Sequence, residues 1–173
     1  PQGLFQENRK LYAVHFHPDC QIPTIRKNTF GDCKSLTSLV LPDSITNIED
    51  RAFYRCRSLD SVYFPEGLKR IGGQAFYSCN FTSLELPASL EVLEDSAFFK
   101  CTQLKYVRLP ENVHYIGKWV FHGCNRLKML EIRHDPEFIG DWIINRAATI
   151  RCYRNSKVDQ YCQEAGFKTE YLD

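Results

Sequence analysis

The sequence predicts a single α/β solenoid, in which one short unit is repeated and stacked along the chain. The first observation is a period of about 23 residues, seen in the spacing of Ile25, Ile48 and Ile71. The second is that each copy contains a short strand pattern, with alternate apolar residues followed by a proline. The third is that a phenylalanine and a cysteine recur at fixed positions. A period of about 20–30 residues with these features predicts stacked units that bury a shared core.

One clear copy shows the parts of a unit. Asp50 begins a short turn of helix on the convex side, where an aspartate is a suitable cap. Phe53 points into the stack. A strand follows with Val62 and its alternate neighbours inward, and Pro65 ends this strand because proline has no N–H to donate. The chain then returns to the core and starts the next copy.

The period divides a single domain, residues 1–173, into three parts. Residues 1–24 are predicted to form a partial repeat or N-terminal cap, with Leu11–Phe16 as a first strand. Residues 25–139 hold five full repeats. Residues 140–173 hold a degenerate repeat followed by a C-terminal cap.

One copy is shorter than the others by a single residue, which is missing after Cys79. A one-residue slip inside a strand would turn its core face outward. We therefore expect the turn at Asn80 to absorb the deletion, since asparagine suits a turn.

The C-terminal cap is predicted as strand, helix and strand. Thr149–Tyr153 has a strand pattern, and Ser156 is a suitable N-cap for the helix that follows. Gly166 is suited to end that helix. Phe167–Leu172 then forms a final strand.

Five of the eight cysteines occupy the same position in successive units. A buried thiol behaves as a small hydrophobe, so the pattern predicts a reduced, buried ladder. A stacking distance of about 4.8 Å does not by itself exclude disulfides. A linear column of thiols does not offer the tetrahedron that zinc prefers. The ladder consists of Cys33, Cys56, Cys79, Cys101 and Cys124, while Cys20 is expected to be the most exposed thiol.

Composition argues against several classes of partner. The chain has 22 lysines and arginines against 21 aspartates and glutamates, spread without a basic run. A nucleic-acid-binding protein needs a concentrated cationic face. The apolar runs are too short to span a bilayer. Neither nucleic acid nor membrane insertion is expected, and no motif calls for a cofactor.

The outward residues of the strands predict a binding surface on the concave side. Several are tyrosine, arginine or methionine, which are enriched in protein interfaces. A solenoid must also expose some residues there, so the pattern alone does not establish a partner. The candidate partner-binding residues are His15, Val40, Tyr63, Glu85, Tyr106, Arg108, Met129 and Glu131.

Other residue patterns bear on metal binding and catalysis. His15 and His17 lie two residues apart near Asp19, but no third metal ligand is assured. The pair Glu49–Asp50 recurs as Glu94–Asp95, which favours a structural role because a catalytic pair is needed only once. The remaining histidines have no nucleophile in register. No catalytic or metal-binding residues are predicted.

A stripe of outward aromatic residues is expected on the convex side. It could serve as a docking ridge, although such residues more often cover the edge of a core. The stripe consists of Tyr54, Tyr77, Phe99 and His122.

The repeated motif, Ile-Gly/Glu-x-x-Ala-Phe-Tyr-x-Cys-x-x-Leu-x-x-Val-x-Leu-Pro, resembles the BspA-type leucine-rich repeat. Close copies run from Ile25 to about Ile139, and the segment from Thr149 to Lys168 is similar to the ends of many bacterial members. The resemblance implies a right-handed leucine-rich-repeat solenoid with a concave sheet. It also implies a cell-surface or secreted protein that attaches to other proteins and has no catalytic motif.

The leading hypothesis is a non-catalytic, monomeric protein–protein interaction module that binds a protein partner through its concave sheet. One alternative is an intracellular scaffold, favoured by the reduced cysteines and the lack of a signal peptide in this sequence. The other is a recognition domain of a longer protein, such as an enzyme, which is suggested by a start in the middle of a repeat.

Overall fold

The computed structural model describes residues 1–172 as a β-solenoid with one short helix near its C-terminal end. The α/β leucine-rich-repeat class predicted from the sequence is confirmed. In chain order the elements are β1 (Thr24–Ile25), β2 (Ser38–Val40), β3 (Asn47–Ile48), β4 (Ser61–Tyr63), β5 (Arg70–Ile71), β6 (Val92–Leu93), β7 (Tyr106–Arg108), β8 (Tyr115–Ile116), β9 (Met129–Glu131), β10 (Phe138–Ile139), β11 (Thr149–Tyr153), α1 (Lys157–Ala165) and β12 (Lys168–Leu172).

One side of the solenoid is a continuous parallel sheet, here called the back sheet. Its six strands lie in the order β1-β3-β5-β6-β8-β10. The repeating isoleucines of the sequence pair directly, Ile25 with Ile48 and Ile48 with Ile71. These short strands were expected only to return the chain to the core, and the sheet they form was not predicted.

The opposite side, here called the front sheet, carries the longer strands of each unit. It is divided into two parts, β2-β4 and β7-β9-β11-β12. Residues 82–86 lie between β4 and β7 but form no strand and make no backbone–backbone hydrogen bond within the described chain. The front sheet is therefore interrupted where the sequence predicts another strand.

The interruption follows from the one-residue deletion. Phe81 occupies the position that Leu59 has in the preceding unit, and it packs edge-on against Phe76 with ring centroids 5.6 Å apart. Asn80 donates its backbone N–H to the Leu59 carbonyl, 2.8 Å away. Leu84 is still buried and its neighbours are exposed, so the side-chain register is kept. The turn absorbs the deletion as far as the core register is concerned, but the backbone after Phe81 no longer joins the sheet, which was not predicted.

The third side of each coil is a ribbon of tight turns. Arg51 and Arg55 have φ values of 55° and 58°, and the same pair of left-handed positions recurs in later coils. Between them, Phe53 donates its N–H to the carbonyl of Ala75 in the next coil at 2.8 Å, while Tyr54 closes a turn with Arg51 at 3.1 Å. Successive amides thus alternate between a hydrogen bond to the next coil and a hydrogen bond within the turn. The backbone hydrogen-bonding groups are satisfied in this way without a regular helix.

The core holds stacked phenylalanines beside the thiol ladder. Six rings stack with centroid distances between 5.0 and 5.6 Å. Each ladder thiol donates to a phenylalanine carbonyl of the preceding coil, for example Cys56 to Phe30 at 3.0 Å. All eight cysteines are free, and seven of them are buried. The stacked rings are Phe5, Phe30, Phe53, Phe76, Phe98 and Phe121.

The N-terminal residues cover the first full coil. Phe5 stacks on Phe30 and donates its N–H to the Thr29 carbonyl at 2.8 Å, so this segment continues the turn ribbon. The prediction that Leu11–Phe16 forms a strand is wrong. This stretch has a neighbour on one side only and receives a single backbone hydrogen bond, from Thr37 to the Tyr12 carbonyl at 3.4 Å.

The strand, helix and strand expected at the C-terminal end are present. β11 pairs in parallel with both β9 and β12. Ser156 caps α1 by accepting the Asp159 N–H at 3.1 Å, and Gly166 ends it with a φ of 72°. The cap therefore extends the front sheet by two strands.

Candidate binding site on the front sheet

The predicted site residues spread along the front face. Val40, Tyr63 and Tyr106 are exposed by 68%, 53% and 44%, so their side chains are accessible to a partner. Arg108 is exposed beside Tyr106, and Glu85 is exposed on the interrupted segment. Three further candidates differ in setting, because His15 lies in a loop, Met129 is half-buried and Glu131 is buried.

Glu131 was predicted as an exposed contact, and this is wrong. Its side chain is only 2% exposed because neighbouring polar side chains cover it. Arg133 Nε donates to its carboxylate at 2.5 Å, Arg151 Nη1 at 3.3 Å and the Tyr106 hydroxyl at 2.9 Å. Arg108 Nε lies 3.6 Å from the same carboxylate. The buried Glu131 therefore positions the side chains of Tyr106, Arg133 and Arg151 at this end of the front face.

Glu131 and its hydrogen-bonding neighbours shift each other's pKa values. Burial alone would raise the pKa of Glu131, but the hydrogen bonds from Arg133 and Tyr106 outweigh it and hold the pKa below its ordinary value. The pKa of Tyr106 is raised, by burial first and then by its hydrogen bond to the Glu131 carboxylate. The ionised Glu131 thus fixes the Tyr106 hydroxyl, which reduces the entropy that a partner must overcome, and it pairs more loosely with the Arg108 side chain.

Two clefts flank the interrupted segment. The larger has a volume of 790 Å³ and lies between residues 82–86 on one side and Tyr106, Arg108 and residues 109–112 on the other. The smaller has a volume of 230 Å³ and separates residues 83–85 from the start of β4. The deletion has opened the front sheet on both sides of one unit.

A third cleft, of 730 Å³, lies near the N-terminal end of the front face. Residues 13–21 form one wall and residues 38–44 the other, with Tyr63 at the margin. The structure therefore brings His15, Val40 and Tyr63 together in this cleft. It brings Glu85, Tyr106 and Arg108 together in the cleft beside β7, and it leaves Met129 and Glu131 outside both.

The opening in the sheet and the arginines that surround Glu131 were not predicted from the sequence. The deletion after Cys79 was the available signal for the opening, because it is the only change of period between Ile25 and Ile139. Arg133 stands where other units have a proline, which was a signal for the cluster.

The carboxylate pairs on the turn ribbon join neighbouring coils. Asp50 Oδ1 accepts the N–H of Gly73 at 2.9 Å, and Asp95 Oδ1 accepts the N–H of Lys118 at 3.0 Å. They act between units and not as caps of a helix within one unit, which corrects the expectation for Asp50. Their structural role explains why they recur.

The described residues offer no grouping suited to a metal ion. Across residues 1–172, no three His, Cys, Asp or Glu side chains converge on one point. His17 and Asp19 approach each other at 3.7 Å, and both are exposed. None of the helices in this range is long and apolar enough to span a bilayer.

The aromatic stripe of the turn ribbon is packed along its length. Tyr54 and Tyr77 stack with centroids 4.9 Å apart, Tyr77 and Phe99 at 5.2 Å, and Phe99 and His122 at 5.8 Å. All four are half-buried. The stripe covers the edge of the core and leaves less free aromatic surface than the front face.

The repeat pattern that builds both sheets matches a known family model. The model for the BspA-type leucine-rich repeat region matches residues 23–151 in six copies. The chain belongs to the BspA-type leucine-rich repeat family. A search among curated proteins finds no match for this BspA-type chain.

Solved structures show the same fold. A leucine-rich repeat protein from Bacteroides ovatus superposes with a TM-score of 0.73 at 22% identity, over 99% of this chain and 54% of that one. The leucine-rich repeat protein TpLRR of T. pallidum gives 0.62 at 24% identity, over 86% of this chain and 79% of its own. The pneumococcal vaccine antigen PcpA gives 0.53 at 16% identity, over 99% and 65%. This BspA-type chain thus spans about half the length of the Bacteroides protein.

Proposed function

We propose that the chain is a non-catalytic module that binds a protein partner through the front face, as part of a cell-surface or secreted protein. The observation that carries this proposal is the set of exposed Tyr63, Tyr106 and Arg108 side chains along the front face. Tyr106 is hydrogen-bonded to the buried Glu131 carboxylate, and Arg108 is paired with it. Exposed aromatic and arginine side chains on a rigid support are typical of binding hot spots. The proposed binding unit is a monomer.

Membership in the BspA-type family supports the surface assignment, because the family occurs largely in cell-surface proteins. The similarity in fold to a pneumococcal vaccine antigen agrees with it. In this proposal the seven buried free thiols are a structural feature, and none of the eight cysteines has a reactive role.

The test is affinity capture with a triple variant, Tyr63→Ala, Tyr106→Ala and Arg108→Ala. The wild-type chain is expected to retain a partner from extracellular protein mixtures that the variant loses. The control changes two aromatic residues and one arginine on other faces, Tyr115→Ala, Phe138→Ala and Arg126→Ala, and is expected to retain it. Retention of the partner by the front-face variant would overturn the proposal.

A second candidate function is an intracellular scaffold. It is favoured by the finding that all eight cysteines are free, which suits a reducing compartment. The full-length precursor distinguishes the two, since an N-terminal secretion signal would exclude the scaffold.

A further inference from the structure

The interruption of the front sheet leaves backbone groups of β7 without partners. Leu109 donates its N–H to the Glu131 carbonyl, and Lys105 accepts the N–H of Lys128, both at 2.9 Å. In a parallel ladder, alternate residues point to opposite neighbours, so Tyr106 and Arg108 direct their N–H and C=O groups away from β9. On that side residues 82–86 provide no hydrogen bond. A free strand edge of this kind is a template for another strand.

A cleft of the size that binds ligands lies beside this edge. The cleft between β7 and residues 82–86 has a volume of 790 Å³. Clefts that hold ligands in proteins measure about 300–1,000 Å³. Its lower wall is apolar, with Leu84 and Leu109 buried and Leu86 half-buried. Alternate side chains of an extended peptide would face this wall, while the intervening ones faced solvent.

Unpaired charges mark the two ends of the cleft. Lys105 stands at the start of β7, while Glu85 and Glu111 stand toward the other end. All three are exposed, and none takes part in an ion pair found within residues 1–172. Arg108, in contrast, is already paired with Glu131. A peptide with an acidic residue near Lys105 and a basic residue near Glu111 would complement both ends.

We propose that the cleft beside β7 binds an extended peptide segment of a partner protein, which adds a strand to the front sheet along Tyr106–Arg108. The proposal rests on the proposed function and specifies its partner as an extended segment with apolar residues at alternate positions. Main-chain hydrogen bonds would supply affinity, and the apolar wall and end charges would supply specificity.

The first experiment selects peptides from a random library displayed on phage, using the wild-type chain as bait. A selected peptide is then synthesised in two forms, each N-methylated at one of the two alternating sets of amides. Since a strand offers only alternate amides to one neighbour, one form is expected to lose binding at least tenfold and the other to keep it. Equal affinity of the two forms, or failure to select any peptide, would overturn the proposal.

Paired variants test the same point from the side of the chain. Arg108→Pro removes the N–H that faces the cleft, at a position where an edge strand tolerates proline. Arg108→Ala removes the side chain but keeps the N–H. The peptide is expected to bind the alanine variant within a few-fold of wild type and the proline variant at least tenfold more weakly. Thermal unfolding checks that both are folded, and the methylated peptides test the wild-type chain if the proline variant is not.

Pairing of this edge with a second copy of the chain is the outcome that competes with the proposal. Sedimentation of the wild-type chain and the Arg108→Pro variant distinguishes this case. A wild-type dimer that the proline change converts to monomer would overturn the proposal, because the edge would then pair with itself.

The triple alanine variant and the Arg108→Pro variant together distinguish a failure of strand addition from a failure of the proposed function. The triple alanine variant keeps every backbone N–H of β7, so the selected peptide is expected to bind it. A natural partner lost from the triple variant but retained by Arg108→Pro would leave the proposed function standing and exclude strand addition. A partner retained by the triple variant would overturn the proposed function alone.

Discussion

The back and front sheets are built by the same repeats, yet only the back sheet is continuous. The coil that lacks one residue still pairs normally on the back, where Arg70–Ile71 bonds to Val92–Leu93. On the front the same coil leaves residues 82–86 unpaired. The deletion lies directly before the front segment, and the chain recovers its position by Leu90, which is fully buried. In this solenoid the length change is therefore confined to the front side of one coil.

The largest effect is expected from breaking the back sheet. A Cβ added at Gly117 would lie 2.4 Å from the backbone nitrogen of Asp95 in the preceding coil. Backbone of both coils would have to move apart, so Gly117→Ala should lower the free energy of unfolding by about 3 kcal/mol, as overpacking does. Denaturant unfolding measures the change.

Gly73→Ala is the matched control. Its added Cβ would meet the Asp95 carbonyl at 3.5 Å, which is an ordinary contact. We expect a change below about 0.5 kcal/mol. Equal losses in the two variants would show that close approach of the coils is not what requires glycine at Gly117.

The next effect concerns the charge cluster of the front sheet. Glu131→Gln removes the carboxylate that pairs with Arg133 and Arg151, and should cost about 2 kcal/mol at neutral pH. The folded-state pKa of Glu131 is lowered from 4.5, so its contribution is fully present above pH 4.5 and is lost as the pH falls through the folded-state value.

Unfolding curves across pH check this sign. The difference between wild type and Glu131→Gln should be constant from pH 7 to about pH 5 and should shrink in more acidic solution. Glu111→Gln, at an exposed glutamate, should show no such difference. A gap that widened in acid would contradict the assignment of an ionised Glu131.

Restoring the missing residue should make the front sheet continuous, as the back sheet is. A serine inserted between Asn80 and Phe81 gives this coil the period of its neighbours. The front segment can then pair with β4 and β7, and we expect about 1 kcal/mol of added stability. Hydrogen exchange at the Tyr106 and Arg108 amides should slow at the same time.

The same insertion elsewhere is the control. A serine placed between Arg57 and Ser58 lengthens a coil that already has the regular period, and it should destabilise the chain. If both insertions destabilise, the interruption does not result from the deletion.

The smallest expected effect concerns the rate at which cysteines are alkylated and not the free energy of unfolding. The thiol ladder runs between the two sheets, and burial raises the pKa of Cys56 and Cys79. Burial also raises the pKa of Cys162 to about 12. Because thiolates are the reactive species, native-state alkylation should label Cys20 first and the other seven cysteines only on unfolding. Early labelling of Cys79, which precedes the interruption, would show that the core opens there.

Periodicity was sufficient to predict the fold, and the reason is physical. Every coil must place its phenylalanine, cysteine and leucines over those of its neighbours, so a residue such as Phe53 is determined by spacing alone. The end of the stack is less constrained, which explains the missing strand at Leu11–Phe16. The back sheet went unpredicted because two-residue strands carry no alternation that a sequence can display.

The candidate site was predictable only in part. Outward positions such as Tyr63 and Tyr106 follow from strand alternation. The burial of Glu131 depends on Arg133 and Arg151, which are distant from each other in sequence and meet only in the folded chain. The free edge of β7 depends on a residue that is absent, and no residue type in the strand itself reveals it.

The one-sided interruption also has a mechanical consequence. Main-chain bonding runs unbroken along the back of the rod, whereas at residues 82–86 the front carries no such bonds. Bending that widens the front therefore meets least resistance at this coil, and the back sheet acts as the hinge of that bend. A peptide strand bound in the cleft would bridge the interruption with main-chain hydrogen bonds. The bending stiffness of the solenoid would therefore rise with the fraction of chains that hold the peptide.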